Sequence, residues 1–364
     1  LRLLKLSPIS SFLGGLFFMF SGSFTWYWAN EQMTNAAMLI PVLLWALERL
    51  FQNKRAKDIV LSAFIFAFVL FVGNPGGFIF TLLLGGVYFI FRVITAKTRT
   101  AQKARYCLLL LLAFILALEL AAFQILPFVE SLSSRLMHHN RDPHLVQNIV
   151  AAGTNWRYLG YIFAPGASEI PVEYRSMPGN GVWDSSGGYT GILSILLIIL
   201  GLILAFLKKT RLRKYLFFFL GFGLFILLKN FGVPPFTWLG KLPFFNMTWS
   251  PRWSAQVWVF SFAVAGAIGF ELIRKEISSH RLNFNRLLIN AALLVLCIFG
   301  LSIFGIIDAV HSDIIDKVNA YTPFSLLINW LVAILSLSVA GWLIWRWQKR
   351  GEKSFYGLFL FYKL

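Results

Sequence analysis

The amino-acid sequence predicts an all-α integral membrane protein, a polytopic bundle of about 10–11 spanning helices. Of its 364 residues, 58% are hydrophobic and only 13% are charged, whereas a soluble domain carries about 25% charged residues. Apolar runs of the length that crosses a bilayer, about 20 residues, recur along the chain. Lys and Arg fall mainly in every second gap between these runs, which is typical of helices that cross a membrane back and forth.

Taken in order, the apolar runs mark ten candidate spans and a partial eleventh that begins near Phe355. The runs 34–51, 58–73 and 213–229 are short for full spans, so we expect tilted or partial helices there. Because both chain ends lie inside apolar patterns, we expect residues 1–364 to be one transmembrane domain, a fragment of a longer protein. The ten spans are roughly 8–28, 34–51, 58–73, 77–95, 106–126, 188–207, 213–229, 253–274, 285–307 and 325–347.

The distribution of positive charge predicts the side of the membrane that each gap occupies. Membrane proteins retain Lys and Arg on the cytoplasmic side, and with the first gap placed inside, 24 of the 33 basic residues fall inside. The net charge of +18 therefore reports sidedness, and we expect no nucleic-acid partner. The strongly basic gaps are 54–57, 92–105, 208–214, 274–286 and 346–353.

Three segments assigned to the outside are long enough to carry a functional site. The first runs from about Ser21 to Asn35, and the second, 127–187, is the largest extracytoplasmic loop. The third, 230–252, contains four prolines and is not expected to form a continuous helix. Trp and Tyr cluster beside these segments, as in the aromatic belt at a membrane surface. Alternatively, these rings form a platform that stacks on sugars, and its candidates are Trp26, Trp28, Trp183 and Tyr189.

Several polar side chains near the outer ends of the spans are candidates for chemistry. Glu119 lies about two turns inside the outer end of its span, where an ionisable residue is costly and often functional; the alternative is a neutral carboxyl that is hydrogen-bonded within the bundle. Glu31 follows the outer aromatic run Trp26-Tyr27-Trp28, and Glu130 follows Pro127. These three acids are weak catalytic candidates, and the sequence identifies none as the base. Asn74, in the turn Asn74-Pro75-Gly76-Gly77, either shapes that turn or presents its amide to a sugar or acceptor.

Two arginines are candidates for binding a lipid phosphate. Arg135 follows the span that ends near Pro127, and Arg252 follows Pro251 at the start of the next span. The first turn of a helix has unpaired N–H donors, and guanidinium groups pair with phosphate. The alternative is that both side chains extend to ordinary lipid headgroups.

Neither a nucleotide site nor a metal site is predicted. The inner gaps contain no phosphate-loop or dinucleotide glycine pattern. The group His138, His139, Asp142 and His144 matches no zinc-ligand spacing. No cofactor is evident, and the sequence leaves the use of a divalent metal open.

An ordered series of short motifs gives the chain a family resemblance. Together they resemble the bacterial YfhO membrane-protein family, whose architecture is similar to that of the GT-C class of lipid-dependent glycosyltransferases. The motifs are Leu13-Gly14-Gly15 through Gly22, Asn35 to Pro41 running into Leu47-Glu48-Arg49, Gln124 to Pro127 through Arg135, Gly187 to Gly191, and Leu242-Pro243 through Pro251-Arg252-Trp253.

The resemblance implies an enzyme of the bacterial cytoplasmic membrane that works on its outer face. Such an enzyme takes a sugar from undecaprenyl phosphate and places it on a cell-envelope polymer, with lipoteichoic acid the type acceptor. Arg252 and Arg135 would lie near the carrier phosphate. GT-C enzymes usually hold their key acid in a first outer loop, which would precede Leu1, and relatives carry a further basic residue where this chain has Trp249.

Two other functions fit the sequence. One is a transporter or flippase for a lipid-linked or small solute, which predicts paired broken helices near the membrane midplane and two related halves. The other is a non-catalytic membrane scaffold, consistent with the missing acid. Midspan charge is scarce and the polar residues gather at one face, which favours chemistry at that face over transport.

Overall fold

The computed structural model describes residues 1–25, 31–73, 75–133, 188–248, 250–279, 289, 291–297, 300 and 322–350. Over these residues the chain is helical and contains no strand, so the prediction of an all-α chain is confirmed for this part. The longer helices are α1 Pro8–Met19, α2 Glu31–Asn53, α3 Ala56–Leu70, α4 Pro75–Ile94, α5 Thr100–Ser133, α6 Ile192–Leu207, α7 Arg213–Asn230, α8 Ala255–Ser279 and α9 Thr322–Arg350.

Four of the described helices are long and apolar enough to cross a membrane. A bilayer core is crossed by about 20 apolar residues, and these stretches contain 20 to 32. Membrane-spanning character is therefore supported over the described residues, although fewer helices meet the criterion than the ten runs predicted. The four stretches are Thr34–Asn53, Pro75–Ile94, Thr100–Ser131 and Ala255–Ile277, and shorter apolar helices cover Pro8–Met19, Ile192–Leu207 and Leu331–Trp347.

Helix α1 is shorter than the predicted span 8–28. It begins after Ser7, whose hydroxyl accepts a bond from the Ser10 N–H at 3.3 Å, with Pro8 at the first helical position. It ends at Met19, and the Ser21 hydroxyl donates to the Phe18 carbonyl at 2.6 Å. A separate helical turn, Gly22–Thr25, follows. Local hydrogen bonding by a serine thus ends a helix that hydropathy alone would continue.

Helix α5 is longer than the predicted span 106–126. It has 34 residues and continues through Pro127 to Ser133. Proline removes one backbone N–H and disfavours a helix interior, which is why the sequence predicts an end before it. Proline costs the helix one backbone hydrogen bond. In apolar surroundings an irregular backbone would leave several N–H and C=O groups unpaired, so continuing the helix through Pro127 is less costly.

The chain divides into two compact units. The first unit comprises Leu1–Gly22, Asn155–Gly221 and Ser261–Leu364, and the second comprises Ser23–Thr154 and Phe222–Phe260. Each unit has its own buried apolar core.

In the first unit, α1, α6 and α8 approach one another through small residues. A β-carbon added to Gly201 would lie 2.5 Å from the Gly269 Cα, and one added to Gly14 would lie 2.8 Å from the Ala267 Cβ. Both distances are too short for real atoms, so glycine is required at these crossings. Contacts of this kind are typical of packed membrane helices.

In the second unit, α2 to α5 pack around large buried side chains, among them Phe80 and Phe89. Gly85 of α4 lies against α2, where an added β-carbon would come within 2.9 Å of the Leu43 side chain. The Phe51 ring of α2 stacks on Tyr106 of α5 at 4.4 Å between centroids.

Candidate functional site

Polar contacts join helix ends that the charge pattern assigns to the same side. Toward the predicted inner ends of the second unit, Arg49 of α2 pairs with Asp58 of α3, with 3.0 Å from Nε to Oδ1. In the first unit, Lys208 pairs with Glu276. Neither contact tests which side is the cytoplasm, but both agree with the alternation of the spans.

A buried set of such contacts surrounds Glu48, which is 3% exposed. Its carboxylate accepts bonds from Arg92 Nε at 2.7 Å and Nη2 at 2.9 Å. It also accepts from the Tyr88 hydroxyl at 2.7 Å and the Gln52 amide at 2.6 Å. The Arg92 guanidinium lies 4.4 Å from the centre of the Phe51 ring. Because this carboxylate accepts four hydrogen bonds, three of them from α4, its role is structural: it links α2 to α4.

In the first unit, a second buried carboxylate links α8 to the start of α1. Glu271, 1% exposed, accepts from the Ser7 N–H at 3.1 Å, from the Ser7 hydroxyl at 2.6 Å and from the Ser10 hydroxyl at 2.6 Å. Arg274 and Lys275 lie 3.1 and 3.3 Å from its other oxygen. A carboxylate at a helix N-terminus complements the unpaired N–H groups and the dipole there.

The predicted outer end of the second unit carries a different kind of arrangement, built on Asn230 at the end of α7. The Ser250 hydroxyl donates to Asn230 Oδ1 at 2.5 Å, and Asn230 Nδ2 donates to the Ser254 hydroxyl at 2.9 Å. All three residues are buried. These bonds fix the end of α7 to the helical turn Ser250–Trp253 that carries Arg252.

Lys229 is the residue of this region that sequence reasoning missed. It is 2% exposed, and its Nζ has no hydrogen-bond partner among the described residues. An ammonium group buried without a partner is energetically costly, so Lys229 is a candidate for binding an anion. The available signal was a lysine in the last turn of an otherwise apolar helix, at an end assigned to the outside.

The start of α4 also lies against this region. A β-carbon added to Gly76 would come within 2.6 Å of Trp253 Cγ. The turn predicted around Asn74 and the element predicted around Arg252 are thus brought together. The resulting set is called the Asn230 cluster, and it consists of Gly76, Asn230, Ser250, Trp253 and Ser254. Lys229 directly precedes Asn230 in the sequence.

The structure describes the remaining predicted site residues only in part. Tyr189 lies before α6, and its carbonyl accepts a bond from the Gly22 N–H at 2.7 Å in the first unit. Glu119 and Glu130 are both exposed on α5. For Glu31 and Arg252 only the backbone is described, within helical turns. Asn74, Trp26, Trp28, Arg135, Trp183 and the histidine group 138–144 lie outside the described residues.

No group of three or more His, Cys, Asp or Glu residues is arranged to hold a metal ion within the described ranges.

No family model, curated protein or solved structure matches the chain. The function is therefore inferred from the residues and their geometry.

Proposed function

We propose that the protein is an integral membrane glycosyltransferase. It would move a sugar from a polyprenyl-phosphate carrier to a cell-envelope polymer, such as lipoteichoic acid, on the outer face of the bacterial cytoplasmic membrane. The observation that carries the proposal is the buried Lys229 ammonium, which has no partner among the described residues. A phosphate at the end of apolar helices is the anion that a lipid carrier presents.

The surroundings of Lys229 suit a phosphate. Its neighbour Asn230 bonds Ser250 and Ser254, which flank Arg252 in the sequence. The N-terminus of the 20-residue helix α4 lies against Trp253 of the same turn. Helix N-termini, lysine and arginine are all phosphate ligands.

The family resemblance adds support from the sequence. Members of the family that the chain resembles tend to carry a basic residue where this chain departs from the pattern with Trp249, next to Ser250. Lys229 is a cation that directly precedes Asn230 in the sequence, and Asn230 accepts a bond from Ser250. A lysine from α7 would then substitute for the basic residue expected directly before the Pro251–Arg252 element.

The proposed reaction follows from the charges involved. An acceptor hydroxyl attacks the anomeric carbon of the sugar, and the bond from that carbon to the carrier phosphate oxygen breaks. The phosphate leaves with additional negative charge, which Lys229 and Arg252 would stabilise. A carboxylate takes the proton of the hydroxyl, and Glu31 and Glu130 are the candidates in the outer segments of this chain.

The proposal is tested by sugar transfer from radiolabelled polyprenyl-phosphate sugars in membranes that contain the full-length protein. Replacing Lys229 with Met keeps an unbranched apolar side chain and removes the charge. We expect a loss of about 10- to 100-fold in transfer, since a hydrogen bond to a charged group contributes about 1.5–3 kcal/mol. Lys241→Met, at an exposed outer-loop lysine, should retain normal transfer.

Two results would reject parts of the proposal. Unchanged transfer by Lys229→Met removes the phosphate assignment. The absence of transfer by the unmodified protein with every donor tested removes the glycosyltransferase assignment and favours a flippase or a scaffold.

A further inference from the structure

A groove on the second unit combines apolar walls with one carboxyl group. It lies between α3 and α5, and its volume is about 350 Å³. Its lining residues are Val60, Ala63, Phe64, Leu116, Glu119 and Leu120. Two ring contacts hold α3 against α5 near it, Phe66 to Phe114 at 5.7 Å and Phe71 to Phe123 at 5.3 Å between centroids.

The groove opens on a face that suits lipid rather than water. Phe64 is 49% exposed and Leu120 is 41% exposed. In the most apolar 18-residue stretch of Thr100–Ser131, only 22% of the residues are buried within the protein. Along the helix, Glu119 lies about 21 Å from Arg105 and about 16 Å from Glu130 at 1.5 Å per residue. These distances place Glu119 within the hydrocarbon layer, since the flanking charged residues belong at its two surfaces.

The Glu119 carboxyl is an unusual group for such a face. Ionisable residues within membrane segments generally pair with another residue or with a backbone group. The described residues supply Glu119 with neither a hydrogen bond nor an ion pair. Acyl chains offer no donor, so a molecule that enters the groove with a donor would pair with this carboxyl.

We propose that the groove binds a membrane-dissolved amphiphile that carries an amine. Its hydrocarbon body would contact Val60, Phe64 and Leu120, and its ammonium group would pair with Glu119. Charge complementarity selects this class, because an ammonium ion supplies both a hydrogen bond and the positive charge that would stabilise Glu119 as a carboxylate, whereas an alcohol supplies only the hydrogen bond and an anionic lipid supplies neither. The volume is at the lower end of the roughly 300–1,000 Å³ of small-molecule sites, which fits one alkyl chain. The site is separate from the proposed transferase function, whose carrier is anionic.

The probe is a dodecylamine that carries a photoreactive diazirine, used with the full chain in phosphatidylcholine nanodiscs. Labelled peptides are identified by mass spectrometry, and unlabelled dodecylamine or dodecanol is the competitor. We expect label on α3 and α5, and we expect the amine to compete about tenfold better than the alcohol, the ratio for one charged hydrogen bond.

Three variants make the experiment decisive. Glu119→Gln keeps the shape and should abolish the preference for the amine, whereas Glu130→Gln, at an exposed carboxyl of the same helix, should preserve it. Val60→Trp keeps Glu119 and fills the groove, so it should reduce labelling by both classes. Equal competition by amine and alcohol in the unmodified protein, or an unchanged preference in Glu119→Gln, would overturn the proposal. Unchanged labelling of Val60→Trp would overturn it independently of how well Glu119→Gln folds.

Discussion

The indole of Trp253 lies against the backbone of Gly76, where an added β-carbon would come within 2.6 Å of the ring. Gly76 begins α4, and Trp253 ends the turn whose Ser250 bonds Asn230. One contact thus joins the start of α4 to the end of α7 through the turn that carries Arg252. The Asn230 cluster depends on this close approach.

Gly76→Ala should destabilise the second unit. The new methyl group must displace Trp253, and overpacking of this kind costs about 1–3 kcal/mol. The control is Gly86→Ala in the same helix, since a β-carbon there meets nothing within 4 Å. Thermal unfolding in detergent should show a lower Tm for Gly76→Ala only. Equal Tm values for the two variants would show that the contact with Trp253 is not tight.

Gly201→Ala should weaken the first unit by the same mechanism. The added methyl group would lie 2.5 Å from the Gly269 Cα, and a backbone atom cannot move aside as a side chain can. Gly221→Ala is the matched control, because its site is open. The free energy of unfolding should fall by at least about 1–3 kcal/mol for Gly201→Ala. A loss no larger than that of Gly221→Ala would contradict the close crossing of α6 and α8.

The buried pair Glu48–Arg92 predicts strong coupling between two substitutions. Glu48→Gln or Arg92→Met alone leaves one buried charge without its partner, which costs about 3–5 kcal/mol. The double variant should cost clearly less than the sum of the two. Arg105→Met, at an exposed site of α5, should be close to neutral. Additive losses in a double-mutant cycle would show that the two side chains act independently.

The predicted sidedness can be tested at two exposed positions after Cys107 and Cys297 are replaced by Ser. Arg99→Cys lies in a strongly basic gap, and Lys241→Cys lies between α7 and α8. A membrane-impermeant maleimide applied to intact cells should label position 241 and spare position 99. Labelling of both, or the reverse pattern, would overturn the orientation inferred from charge.

The sequence predicted features that depend on local composition. Apolar length located α2, α4 and α8 within a few residues, because crossing a bilayer requires a fixed length of apolar chain. Helix ends were less accurate where one polar or proline residue decides them. Ser21 ends α1 early by bonding to Phe18, and α5 continues through Pro127.

The site depends on tertiary contacts that composition does not contain. The sequence singled out Asn74 and Arg252 separately, and the contact of Gly76 with Trp253 brings their two segments together. The sequence does not single out Lys229, since its burial follows from the packing of α7 and the turn that Asn230 holds. Only the packed structure distinguishes a solvated lysine from a buried one that has no partner in the part of the chain that the structure describes.

The most direct test of the central claim is the selectivity of binding at Lys229. Dissociation constants for a polyprenyl phosphate and for the same polyprenol without phosphate would be measured by native mass spectrometry on the unmodified protein, Lys229→Met and Lys241→Met. The account predicts a phosphate preference of at least about tenfold that is lost in Lys229→Met and kept in Lys241→Met. An equal phosphate preference in all three proteins would contradict it.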